Sequence, residues 1–65
     1  MFASEEQEYL QAPLERLRGL LSYELGNARW VRAERAAGRV PDPFAAHSER
    51  RASLLVAVIR RRTVG

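Results

Sequence analysis

The 65-residue chain contains no cysteine and only one histidine, His47. Disulfides and thiolate metal sites are therefore excluded, and a cluster of histidine ligands cannot form. No segment has the spacing of a metal site, a phosphate-binding loop or an activated nucleophile. The sequence therefore predicts no metal, no cofactor, no small-molecule substrate and no enzymatic activity.

Long apolar runs are also missing. The longest one, residues 54–59, is far shorter than the apolar stretch of about 20 residues that crosses a bilayer. Glu5, Glu6 and Glu8 stand near the start of the chain, where a secretory signal would carry positive charge. These features predict a soluble, cytoplasmic protein without a membrane-spanning segment.

The apolar run at residues 54–59 is predicted to be part of a helix over about residues 43–63. Asp42 and Pro43 form a helix start, because Asp caps free N–H groups and Pro fits the first helical position. A strand would need a partner strand, and no other segment resembles one. On this helix Leu55 and Ile59 lie at the centre of the apolar face and are predicted to be core residues.

The first half of the chain predicts a helix over about residues 4–37. Ser4 and Gln7 have the spacing of a capping box, and Gly38 followed by Pro41 marks the end. Pro13 removes a helix hydrogen bond, so we expect either a kink in one long helix or a break between two helices. A stripe of apolar residues recurs at steps of three and four: Leu10, Leu14, Leu17, Leu21, Leu25 and Ala28.

Glycines at positions 19 and 26 leave two interpretations open. Each costs roughly 1 kcal/mol inside a helix relative to alanine, so a compensating role is expected. Gly19 and Gly26 could permit a close approach between helices, or Gly26 could mark a frayed turn.

The short connection at residues 39–42 implies that the two predicted helices are antiparallel neighbours. The predicted fold is all-α and forms a single domain over residues 1–65. It is an antiparallel helical hairpin with an N-terminal helical extension kinked near Pro13, completed by self-association.

Self-association is predicted because apolar side chains surround more of the last helix than one neighbour can cover. In a two-fold dimer each N-terminal segment would lie over the last helix of the partner, bringing the acidic first turn toward the C-terminal arginines. In the alternative, the segment folds back and closes a three-helix bundle alone. The predicted interface residues are Leu10, Leu14, Leu54, Val56 and Val58.

The chain has eleven arginines, no lysine and a net charge of +3. The hairpin is predicted to gather a basic patch from Arg16, Arg18, Arg60, Arg61 and Arg62. Such a patch suits acidic protein surfaces and phosphates alike, and a third interpretation is a solvated helix end that complements the dipole.

These patterns predict a small helical protein–protein interaction module that acts as an adaptor, inhibitor or assembly component. Its expected partner is a second copy in a dimer, a larger protein, or both, and a phage accessory protein would be one setting for it. The alternative is a small Arg-rich regulator that binds nucleic acid.

Overall fold

Proline and glycine divide the chain into helices, and the helices account for the whole fold. The computed structural model describes residues 5–64, which contain no β-strand. The fold is therefore all-α, as predicted. Its helices, in chain order, are α1 (Glu5–Gln11), α2 (Leu14–Ala36), α3 (Pro43–Ala46) and α4 (Ser48–Val64).

Helices α2 and α4 form the predicted hairpin. Side-chain bonds join Glu24 to Arg51 and Arg32 to Glu49, so the residue numbers rise along one helix as they fall along the other. This order makes the two helices antiparallel.

The turn of the hairpin uses the stop signal that the sequence predicted. Gly38 has φ = 80°, a left-handed conformation that glycine adopts without a Cβ penalty. Its N–H donates to the Arg35 carbonyl at 3.0 Å, and the Arg39 N–H donates to the Glu34 carbonyl at 2.9 Å. These two bonds satisfy carbonyls at the end of α2 in a Schellman arrangement.

The predicted helix over residues 43–63 consists of two helices in the structure. Asp42 caps α3 as expected, since its Oδ2 accepts from the Ala45 N–H at 3.1 Å. Helix α3 ends at His47, which is exposed, and α4 begins at Ser48.

Helices α1 and α2 are separate, because the predicted long helix is interrupted at Ala12 and Pro13. Pro13 has φ = −61° and ψ = 145°, which is extended rather than helical. The predicted cap at Ser4 lies outside the described residues.

Helix α1 folds back onto α4 of its own chain. Tyr9 is buried there and joins Leu17, Leu55 and Val58 in one hydrophobic cluster. Of the two arrangements expected for the N-terminal segment, the single chain therefore adopts the one that covers α4 from within. The assignment of Leu55 to the core is confirmed, because its side chain is fully buried.

The buried face of α2 is rotated from the predicted stripe by roughly half a residue step, about 50°, so that Leu17 and Ala28 belong to both. Leu25 belongs to the predicted apolar stripe, but 49% of its surface is exposed, whereas its neighbour Glu24 is only 4% exposed. The buried positions are Leu17, Glu24, Ala28 and Val31. Glu24 lies inward because it has a charged partner on α4.

Neither interpretation of the helical glycines holds within the chain. Helix α2 runs without interruption through Gly19 and Gly26, so the turn at Gly26 is not broken. A Cβ placed on either residue would meet nothing within 4 Å, so neither permits a close approach to the described chain.

Replacing Gly26 by alanine should therefore raise the free energy of unfolding by about 1 kcal/mol. The gain arises because alanine loses less backbone freedom and its methyl group enters open space. Thermal unfolding followed by circular dichroism measures the change. Gly38→Ala is the matched control and should destabilise, because its φ of 80° strains any residue with a Cβ. A lower melting temperature for Gly26→Ala would contradict this prediction and would indicate a close contact at this position in solution.

Candidate functional site

A buried ion pair joins the middle of α2 to the first half of α4. Arg51 Nε donates to Glu24 Oε2 at 2.7 Å, and Arg51 Nη2 donates to Glu24 Oε1 at 3.2 Å. Both side chains are almost fully buried. The hydrogen bond that Arg51 donates to Glu24, strengthened by the negative charge of the carboxylate, raises the pKa of Arg51 above the ordinary value, despite the opposing effect of burial.

The same guanidinium also holds α3 in place. Arg51 Nη2 donates to the Phe44 carbonyl at 2.6 Å and to Ser48 Oγ at 3.3 Å. The Phe44 ring lies against the guanidinium, with 4.0 Å between Arg51 Cζ and the ring centroid, which is a cation–π distance. Among the described residues, no buried side-chain nitrogen or oxygen lacks a hydrogen-bond partner. The pair therefore links α2, α3 and α4 through fully satisfied hydrogen bonds.

Glu24 and Arg51 were not identified as a pair from the sequence. The available signal was the spacing of Leu17, Glu24 and Val31, which are seven residues apart and share one face of α2. A charged residue at such a position indicates a buried pair when an arginine occupies the facing helix.

Acidic residues of α1 meet arginines of α4 within the chain. Glu5 Oε1 lies 2.8 Å from Arg50 Nη2, and Glu6 Oε1 lies 3.2 Å from Arg61 Nη1. Both pairs are largely exposed, so each contributes roughly 0–1 kcal/mol. Charge thus orients α1 on α4, while the burial of apolar side chains provides most of the stability.

The C-terminal end of α1 is capped by Arg62. Its Nη1 donates to the Tyr9 carbonyl at 3.4 Å and also to the Ala12 carbonyl. Carbonyls at the end of a helix have no partner within the helix, so a nearby guanidinium satisfies them and complements the dipole.

The burial of Tyr9 should make the free energy of unfolding depend on pH in the alkaline range. Burial, followed by the negative charge of Glu5 and Glu24, raises the pKa of Tyr9 above its ordinary value of 10.0. Because the folded pKa exceeds the unfolded one, the protonated ring stabilises the fold below about pH 10, and this contribution is lost as the pH rises through the folded pKa. Urea unfolding measured between about pH 9 and pH 11 should show the loss. Tyr9→Phe should remove this part of the pH dependence, and an unchanged pH profile in that variant would contradict the assignment.

The five arginines predicted to form one basic patch are divided among different surfaces. Arg61 and Arg62 bind α1, so they are not free. Arg16 lies on the side of α2 that borders α1, close to Tyr9 and Leu20. Arg18 lies two residues from Arg16 and therefore points to the other side of the helix. The single patch is corrected accordingly, because α1 occupies part of the surface that would have formed it.

The predicted interface residues also fall in different environments. Val58 is 1% exposed and belongs to the core, so its assignment to a surface is corrected: α1 covers it. Leu14 and Leu54 are partly buried against the same core. Leu10 remains 38% exposed on α1. Val56 is partly buried and lines an open groove between α2 and α4.

This open groove has a volume of about 550 Å³. The groove lies on a different side of α4 from α1. At about 100° per residue, Val56 is rotated well away from Arg50 and Arg61, which are the residues that pair with α1. The floor is apolar and the rim is polar. The floor comprises Leu25, Ala28, Ala52 and Val56, and the rim comprises Arg29, Arg32, Glu49 and Ser53.

The rim of the groove carries excess positive charge. Arg32 Nε pairs with Glu49 Oε1 at 2.6 Å, which leaves Arg29 as the uncompensated charge on the rim. Arg18 lies eleven residues before Arg29, and Arg60 lies four residues after Val56, so the helical period places both on the groove side. Within the described chain, the side chains that form no hydrogen bond or ion pair include those of Arg16, Arg18, Arg29, Arg35 and Arg60.

No helix in residues 5–64 is long and apolar enough to cross a bilayer. The same residues contain no group of three or more His, Cys, Asp or Glu side chains that could hold a metal ion. Comparison of the chain with protein-family models, with curated proteins and with solved structures found no match.

Proposed function

We propose that the protein is a small helical interaction module, acting in the cytoplasm as an adaptor, inhibitor or assembly component. The observation that carries this proposal is the groove between α2 and α4, whose apolar floor is open to solvent and whose rim is basic. An apolar surface with a polar margin is typical of a protein-binding site. The well-satisfied ion pair of Glu24 and Arg51 offers no free group for catalysis.

A second exposed surface supports the role of an adaptor. Tyr23 and Trp30 are both about half exposed on α2. They are seven residues apart, so they share one face, and that face lies well away from Leu25. Tyrosine and tryptophan are enriched among the residues that dominate binding energy. Two separate apolar surfaces suit a protein that joins two partners.

Self-association remains part of the proposal, through exchange of α1 between two copies. Only Ala12 and Pro13 connect α1 to α2, so a change at this connection would let α1 dock on a partner with the same contacts. Sedimentation equilibrium at micromolar concentration tests this dimer. Deleting residues 1–12 should weaken association, and a monomer at all concentrations would contradict exchange.

The second candidate is nucleic-acid binding, which is favoured by the unpaired Arg16, Arg18, Arg29, Arg35 and Arg60. Free guanidinium groups bind phosphates, and the affinity would fall steeply with salt. The apolar floor of the groove does not serve that purpose, whereas protein contacts through it should tolerate salt.

Capture from cell lysate with the tagged protein, with and without nuclease, separates the two candidates. We expect proteins that are retained after nuclease treatment and at raised salt, and that are lost when Val56→Arg fills the groove. Retention that disappears with nuclease would overturn the proposed function. Retention of proteins that is indifferent to Val56→Arg and to charge reversal at Arg29 would overturn the groove as the binding site. Circular dichroism of each variant verifies that the fold is kept.

A further inference from the structure

The hairpin of α2 and α4 has two flanks, and the chain covers one of them. On the covered flank, α1 places one aromatic side chain, Tyr9, into the core. Its acidic residues Glu5 and Glu6 pair with Arg50 and Arg61 at the edges of that contact. A short acidic helix with one large apolar side chain is therefore a ligand that this hairpin already binds.

The uncovered flank has the same combination of features. Leu25 and Val56 stand on opposite walls of the groove, with the small side chains of Ala28 and Ala52 between them. This arrangement leaves space for a bulky apolar group. Arg29 on the rim has no carboxylate partner, although its counterpart Arg32 is paired.

We propose that this groove binds an acidic amphipathic helix of a partner protein. One large apolar side chain of that helix enters between Leu25 and Val56, and its carboxylates pair with Arg29 and with Arg18 or Arg60. Residues 25–32 span about 10 Å of α2, so the bound helix makes its contacts over roughly two turns. This inference rests on the proposed interaction function and names the chemical class of the partner.

Charge complementarity selects this occupant over a second copy of the chain. Two grooves facing each other would each present the uncompensated charge of Arg29 beside the Arg32–Glu49 pair, so both surfaces would carry excess positive charge, which opposes the contact. Of the described carboxylates in no ion pair, Asp42 caps α3, and Glu8 and Glu15 lie outside the groove lining. A phosphate backbone would satisfy the arginines but would leave the apolar floor without a contact.

Two peptide libraries displayed on phage test the proposal against the full-length protein. In the first, a helical peptide carries glutamate on its flanks and randomised Leu, Ile, Phe, Tyr or Trp on one face. In the second, lysine replaces each glutamate. We expect only the glutamate library to yield binders, and their affinity should fall about tenfold or more, equivalent to 1.4 kcal/mol, in Arg29→Glu.

Arg16→Glu is the matched control, because Arg16 is also an exposed, unpaired arginine of α2 but lies outside the groove. Its affinity for the selected peptides should change less than about threefold, as expected for a distant charge at moderate salt. Val56→Arg should abolish binding by filling the groove, even though it adds a positive charge there. If Val56→Arg fails to fold, the pair of charge reversals still decides the question.

Other outcomes show whether only the assignment of the groove is wrong or whether the proposed interaction function is wrong as well. Binders that are insensitive to Arg29→Glu and Val56→Arg would overturn the groove and leave the interaction function intact. Equal enrichment from the lysine library, or none from either, would overturn the proposed acidic helix. Tighter binding of a labelled duplex oligonucleotide, lost in Arg29→Glu, would instead favour nucleic acid and overturn both proposals.

Discussion

Arg51→Met should lower the free energy of unfolding by about 3–5 kcal/mol, which for so small a domain would abolish or nearly abolish folding. The substitution leaves Glu24 buried without its positive partner. It also removes the donor to the Phe44 carbonyl, so α3 loses its attachment to α4. Urea unfolding followed by circular dichroism measures the change.

The double variant Glu24→Leu with Arg51→Met separates the net contribution of the ion pair to stability from the cost of leaving one buried charge unpaired. A well-packed apolar replacement of a buried ion pair is often neutral or stabilising. We therefore expect the double variant to recover much of the stability that Arg51→Met loses. If the two single changes were simply additive, Glu24 and Arg51 would not be coupled, and the assignment of a buried ion pair would be contradicted.

Leu55→Ala should cost about 2–5 kcal/mol of unfolding free energy and should prevent stable folding. Leu55 is fully buried between α1, α2 and α4, so its removal leaves a cavity that rigid neighbouring helices fill only in part. Thermal and urea unfolding both report the loss.

Leu25→Ala provides the matched control, since it is the same change at a leucine that is half exposed. We expect a cost below about 1 kcal/mol there, as is usual for surface substitutions. Equal melting temperatures for the two variants would show that Leu55 is not in the core of the protein in solution.

The hairpin was predictable because its signals are local. Asp42 and Pro43 begin a helix, Gly38 ends one, and the connection between them is short. The burial of Leu55 followed from periodicity alone. None of these inferences required knowledge of which residues meet across the fold.

The rotation of the α2 stripe could not be predicted in the same way. Whether Glu24 or Leu25 faces inward depends on Arg51, which lies 27 positions away in sequence. Arg51 can pair with Glu24 only because the packing of α4 on α2 brings the two residues to the same level. Apolar periodicity favours leucine at the buried position, because an unpaired buried carboxylate is strongly unfavourable. The paired carboxylate reverses that preference.

The candidate site was predicted only in part for a related reason. Val56 was expected at a binding surface and lines the groove, whereas Arg29 was not singled out. The direction in which α1 packs, which is set by the break at Ala12 and Pro13, decides which arginines remain free. From the sequence, the acidic first turn was expected to approach the C-terminal arginines, as Glu6 and Arg61 do, but in a dimer. An exposed pair of this kind is too weak to decide between contact within one chain and contact between two.

The return of α1 onto α4 has a consequence for the order in which the protein folds. The ion pair between α2 and α4 closes a loop of 27 positions, whereas the pairs that hold α1 join residues 45 and 55 positions apart. The entropic cost of closing a loop increases with the sequence separation of its ends, and α1 is too short to form a stable helix on its own. We therefore expect α2 and α4 to assemble first and α1 to dock last. In the native protein α1 would then undock at a lower free energy than global unfolding requires, so its amide hydrogens should exchange with solvent ahead of those at the centre of α4.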